Sequence, residues 1–132
     1  MTNKRKFIEV MIYCYITISL RHSPNGIALN PNTNKIYVYN SGSNMTSVLD
    51  GNANVLVTTV RGQSYLGAVN QNTNMIYIVN LDNTISVIDG NTNAVVRTIN
   101  VGKNPAGVAV NPNTNIVYIT NQGYDTVSII KG

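Results

Sequence analysis

The sequence predicts an all-β fold assembled from repeated, four-stranded antiparallel sheets. Three observations carry this. The stretch "NPNTNKIYVYN" at Asn30 returns as "NQNTNMIYIVN" at Asn70 and as "NPNTNIVYITN" at Asn111. Separated markers keep phase with it: Gly26, Gly67 and Gly107 recur at a period near 40 residues, as do Tyr37, Tyr77 and Tyr118. Within each period lie short runs rich in Val, Ile, Thr and Tyr, and no apolar stripe has helical spacing.

The middle period is the clearest. Its runs are Leu66–Asn70, Met75–Asn80, Thr84–Asp89 and Ala94–Val101, separated by "QNTN", "LDN" and "GNTN". Asn, Asp and Gly in such clusters favour tight turns. Four strands joined by hairpins in about 40 residues make one blade of a β-propeller. "MIYIV" is nearly continuously apolar, as expected of a strand covered on both faces by stacked blades.

The elements follow in order. Residues 1–12 form a basic and apolar extension containing Lys4, Arg5 and Lys6. It starts as a signal peptide does, but Glu9 interrupts the apolar run and no small-residue cleavage site follows. The run is too short to cross a bilayer, so no transmembrane segment is predicted. Residues 13–132 form a partial propeller. "TISLRHSPNG" aligns without gaps to "TINVGKNPAG", which makes 13–20 an orphan outer strand. Residues 25–60 supply one blade, 65–101 a second, and 106–131 a third that lacks its outer strand.

Three blades are too few to close a ring, since propellers have typically four to eight. Two copies of the chain give six. The expectation is a six-bladed homodimer in which Tyr13, Tyr15, Ile16 and Ile18 of one chain pair with Thr126, Val127 and Ile129 of the other. A head-to-tail filament and a piece of a longer propeller are the alternatives. Tyr37, Tyr77 and Tyr118 are expected to be equivalent and largely buried.

"GVAVNPNTNIVYITN" followed by "DTVSII", and "ISVIDGNTNAVVRTINVGKNPAG", resemble the YVTN-type β-propeller repeat. The signature tetrapeptide stands here as "YVYN", "YIVN" and "YITN". The resemblance covers residues 13–132 and implies an extracellular or cell-surface setting. It departs at Arg21, where the other units have Gly62 and Gly102, and at Lys131, where they have Asp50 and Asp89.

The chemistry-bearing residues are few. Charged residues are 11% of the chain, against about 25% in ordinary soluble proteins. The net charge is +4, but beyond Lys4–Lys6 the cations stand singly, which argues against a nucleic-acid footprint. Cys14 is the only cysteine, so no intrachain disulfide forms. It aligns with Val55 and Val95 and is expected to be a small buried apolar residue. The acids are Glu9, Asp50, Asp82, Asp89 and Asp125; His22 is the single histidine. Asp50 and Asp89 read as turn formers.

No catalytic group, metal site or cofactor is predicted. The Asn-rich turns lack the carboxylates calcium wants, and no phosphate-binding glycine loop is present. Residues that escape the repeat gather on loops at one rim: His22, Asn25, Arg61, Gln63, Tyr65, Lys103 and Tyr124. They are the candidates for binding a protein, a carbohydrate or a single-stranded nucleic acid. The function expected is interaction or surface structure, without enzymatic activity.

Overall fold

The computed structural model describes residues 12–20, 23–61 and 64–132. The N-terminal extension up to residue 11 and four residues singled out above, Arg21, His22, Gly62 and Gln63, lie outside the described residues.

The described residues form three antiparallel sheets and no helix. The first holds β1 (Pro24–Asn30), β2 (Lys35–Asn40), β3 (Met45–Asp50) and β4 (Val55–Arg61) in sequence order. The second holds β5 (Ser64–Asn70), β6 (Met75–Asn80), β7 (Thr84–Asp89) and β8 (Ala94–Asn100). The third holds β9 (Pro105–Asn111), β10 (Ile116–Asn121) and β11 (Thr126–Lys131). β5 packs against both β1 and β9, so the first strands line a common inner side and the sheets stack face to face. This is a β-propeller arrangement of 4, 4 and 3 strands.

Asparagine builds the turns. Asn34, Asn74 and Asn115 take the left-handed conformation with φ of 57°, 57° and 59° in the β1–β2, β5–β6 and β9–β10 turns. Asn44, Asn83 and Asp125 do the same between the second and third strands, and Asn54 and Asn93 between the third and fourth. Asn and Asp tolerate this region better than other residues with a Cβ. Asp50 and Asp89 accept a hydrogen bond from the backbone N–H of Asn52 and Asn91, 2.8 Å in each case. They are turn formers, as the sequence implies.

Glycine serves close approach instead. A Cβ on Gly67 would lie 2.5 Å from the Tyr39 hydroxyl. Only a glycine on β5 lets the tyrosine of the first sheet lie over it.

The stacking makes two seams. Tyr37, Tyr39, Val48 and Val60 of the first sheet meet Ile76, Ile78 and Ile88 of the second. Tyr77, Val79, Ile85 and Val87 of the second meet Val117 and Ile119 of the third. Alternate residues of β6 thus face opposite seams, and Ile76 through Asn80 are all buried. That explains the nearly unbroken apolar run.

Three expectations are corrected. The tyrosines are not equivalent: Tyr37 is 0% exposed, Tyr77 3% and Tyr118 39%. Their registers agree, since they lie opposite Ala28, Ala68 and Ala109. The difference is that Tyr118 points away from the second sheet, where no sheet of the described residues covers it. Cys14 is exposed, not buried. Its supposed counterparts Val55 and Val95 are also exposed, because outer strands sit at the margin of each seam.

The phase of the outer strand also differs by one residue in the first sheet. Thr98 lies opposite Ser86, but Thr59, not Thr58, lies opposite the equivalent Ser47. The counterpart of Cys14 is therefore Val95 in the second sheet and Leu56 in the first. Within one chain, residues 13–20 form no strand; the pairing expected for them involves a second chain.

Candidate functional site

The third sheet has one finished face and one open face. Val117, Ile119 and Ile130 turn toward the second sheet. Tyr118, Thr120, Val127 and Ile129 turn outward and are exposed, Val127 by 55% and Ile129 by 63%. Register puts Tyr118 opposite Ile129 and Thr120 opposite Val127, so the four make one contiguous patch. An apolar patch of this kind marks an interaction surface or an aggregation hazard. β11 is also an edge: among the described residues β10 is its only partner. Unpaired backbone groups on such an edge are a template for another strand.

Beside that edge is a cavity of about 240 Å³, lined from the second sheet by Met75, Tyr77, Val87 and Ile99 and from the third by Ile130. Its lining is mainly apolar. Burial pushes the Tyr77 phenol above its ordinary range.

The first sheet has an outward face too. Ile27 and Leu29 are exposed there by 70% and 56%, and they lie opposite Val38 and Ile36. Val38 and Leu49, on the same face, are buried in the single chain, so this side offers less free apolar surface than the third sheet.

A ladder of asparagines ties the seams at the opposite rim. Asn30 Nδ2 donates to Asn74 Oδ1, and Asn70 Nδ2 donates to Asn115 Oδ1, both at 2.9 Å. Asn32 and Asn72 reach the carbonyls of Gln71 and Pro112 on the next sheet. Asn30 and Asn70 are fully buried; their counterpart Asn111 is exposed.

The rim candidates do not converge on one site. Arg61, exposed at the end of β4, lines a cleft of about 390 Å³ with Asp82, Thr84 and Ser86. Tyr65 is half-buried and donates its hydroxyl to the Pro105 carbonyl, which ties β5 to β9. Lys103 accepts the Gly123 N–H on its carbonyl at 3.0 Å, and its side chain lies over that glycine, next to Tyr124. Tyr124 is 64% exposed at the tip of the β10–β11 turn, and Asn25 is exposed on β1. His22 and Gln63 lie outside the described residues.

Among the described residues, no three His, Cys, Asp or Glu side chains stand close enough to hold a metal ion. Asp82 accepts from the Thr84 hydroxyl within its own turn. No helix of the described residues is long and apolar enough to cross a membrane.

No protein-family model matches the chain, and no curated protein does. Solved structures do. Hydrazine synthase of Kuenenia stuttgartiensis matches with a TM-score of 0.75 and 20% identity, over 93% of this chain and 36% of that one. The WD40 repeats of RRP9 match with a TM-score of 0.71 and 10% identity, over 87% of this chain and 40% of that one. A functionally unknown protein from Desulfotomaculum acetoxidans matches at 0.67 and 18%, over 86% and 43%. The fold is a β-propeller. At these identities the likeness concerns fold alone. The chain spans about two fifths of the length of these structures.

Proposed function

We propose that the chain is a non-enzymatic β-propeller module that acts by association, closing with a second copy of itself into a six-bladed ring. The observation behind this is the open third sheet, where Tyr118, Val127 and Ile129 are exposed beside an unpaired edge strand. The matching positions of the second sheet, Tyr77, Ile85 and Val87, are buried. Two copies place the third sheet of each against the first sheet of the other, and residues 13–20 of each along β11 of the other. Six blades lie within the range of closed propellers. The resulting ring presents two sets of rim residues, Asn25, Arg61, Tyr65, Lys103 and Tyr124, to a protein or carbohydrate partner. The cell surface is the proposed setting, on the resemblance of the repeat.

Electron microscopy of the purified protein tests this reading. Closed rings of two chains are expected. Filaments would favour head-to-tail exchange, which does not close. Replacing Ile16 by Pro removes a ladder donor, and the rings are expected to dissociate. Rings that persist would contradict exchange of residues 13–20.

A further inference from the structure

The cavity beside β11 says which way the exchanged strand is seated. In the second sheet the outer strand β8 lies on β7 with Ala94 opposite Asp89, Val95 opposite Ile88, Arg97 opposite Val87, Thr98 opposite Ser86 and Ile99 opposite Ile85. A bulge at Val96 shifts the register between Val87 and Ile88. β11 repeats β7: Lys131 stands where Asp89 does, each facing the first residue of its second strand, Ile116 or Met75. Ile130 thus matches Ile88, and Ser128 matches Ser86. Both serines accept a hydrogen bond from the asparagine that ends the second strand, Asn121 or Asn80, at 2.9 and 2.8 Å.

The gap-free match of residues 17–26 to residues 98–107 carries this register to the N-terminal segment. It puts Tyr13 opposite Lys131, Cys14 opposite Ile130, Ile16 opposite Ile129, Thr17 opposite Ser128 and Ile18 opposite Val127, with Tyr15 in the bulge. Ile130 faces the second sheet and lines the cavity. Directly opposed residues on antiparallel strands share a face, so the side chain opposite Ile130 stands at the mouth of that cavity; Val95, in the same place opposite Ile88, is 42% exposed.

We infer that Cys14 of a second copy of this chain caps the mouth of the apolar cavity between Ile99 and Ile130, in register with Ile130. The inference rests on the closure proposed above. A thiol is small and weakly polar and suits a site lined by Met75, Tyr77, Val87 and Ile99. In the single chain that thiol is exposed, its Sγ lying 3.8 Å from the Thr17 hydroxyl. Seating it there gives the segment the β-strand pairing that residues 13–20 lack alone and covers the β11 edge.

An engineered disulfide reads the register directly. Directly opposed strand residues have Cα atoms at a separation a disulfide can bridge. Because Cys14 is the only cysteine, Ile130→Cys is expected to give one disulfide-linked species at twice the chain mass of 14.3 kDa under mild oxidation, reversed by reductant. Ile129→Cys, on the other face of β11, is expected to give none. No covalent dimer from Ile130→Cys, or equal yield from both variants, overturns the register. The unaltered protein supplies a check that no core substitution can spoil. Val95, the counterpart of Cys14, keeps 42% of its surface exposed in a complete sheet, so Cys14 is expected to react with a maleimide more slowly in the assembled state than after dilution to single chains, not to be fully protected. A Cys14 that reacts as fast in a dimer as in single chains overturns the seating but leaves closure standing; a protein that is monomeric throughout overturns both.

Discussion

The second and third sheets are near-copies in sequence, yet only one is finished. In β6, the five residues from Ile76 to Asn80 are all buried. In β10, the matching run alternates, with Val117, Ile119 and Asn121 buried and Tyr118 and Thr120 exposed. The register between second and third strands is the same in the two sheets, and Asn80 and Asn121 bond Ser86 and Ser128 alike, although the turn between those strands is one residue longer in the third. What differs is the number of neighbours: the second sheet has one on each face, the third on one. The same residue type can therefore be core or surface depending on what lies beyond its sheet. In a stacked repeat, stability belongs largely to the interfaces between repeats.

Matched substitutions at equivalent positions sharpen this contrast. The largest effect is expected at Tyr77, which is buried in the second seam. Tyr77→Ala should cost about 3–5 kcal/mol, as other large-to-small core changes do. Tyr118→Ala should cost about 1 kcal/mol or less in the single chain and act on association instead. Urea denaturation of both variants, read at low protein concentration, checks the difference; equal costs would break the comparison.

The asparagine ladder gives a smaller and independent contrast. Asn70 is buried, bonds Asn115 across the seam and accepts the Asn72 N–H within its own turn. Asn111 keeps the local bond to the Asn113 N–H and is exposed. Asn70→Ala strands the partner amide and should cost about 1–3 kcal/mol. Asn111→Ala should cost clearly less, in the same denaturation series.

The smallest effect concerns the Tyr39 hydroxyl, which is buried in the first seam without a hydrogen-bond partner. Burial, with Tyr37 adding to it, holds its pKa far above the ordinary 10.0. The unfolded chain then loses this proton first. Between the unfolded and folded pKa the native state binds more protons, so stability falls as pH rises above about 10 and is unaffected below. Tyr39→Phe is expected to leave stability at neutral pH unchanged or slightly raised and to flatten the alkaline decline. Thermal unfolding between pH 8 and pH 11 checks the sign.

Much of the fold is legible in the sequence because its signals are local. Asn at 34, 74 and 115 marks left-handed turns, and the runs between them fix strands to within two residues, as for Met75–Asn80 and Thr84–Asp89. The exposure of Tyr118 is not local. "NIVYITN" looks as buried as "NMIYIVN", and only the stacking order shows which sheet lacks a neighbour. Cys14 misleads for another reason. Its apolar counterparts Val95 and Leu56 are themselves 42% and 47% exposed, so an apolar residue on the outer strand does not mark a buried place.

The outer-strand phase fails because the link to the next inner strand is one residue shorter after β4 than after β8, eight residues from Thr59 to Gly67 against nine from Thr98 to Gly107, while the bulge is common to both outer strands. The ladder does carry a sequence mark, since Asn30 and Asn70, like Asn74 and Asn115, stand about one period apart. Of the rim candidates, Tyr65 shows that escaping the repeat can mean a structural duty, since its hydroxyl ties two strands together.

The central claim is that the open third sheet is completed by a second copy of the chain. Light scattering on the intact protein tests it most directly. The account predicts a species of twice 14.3 kDa that persists on moderate dilution. A well-folded monomer of 14.3 kDa, with Tyr118 and Cys14 still exposed, would contradict it.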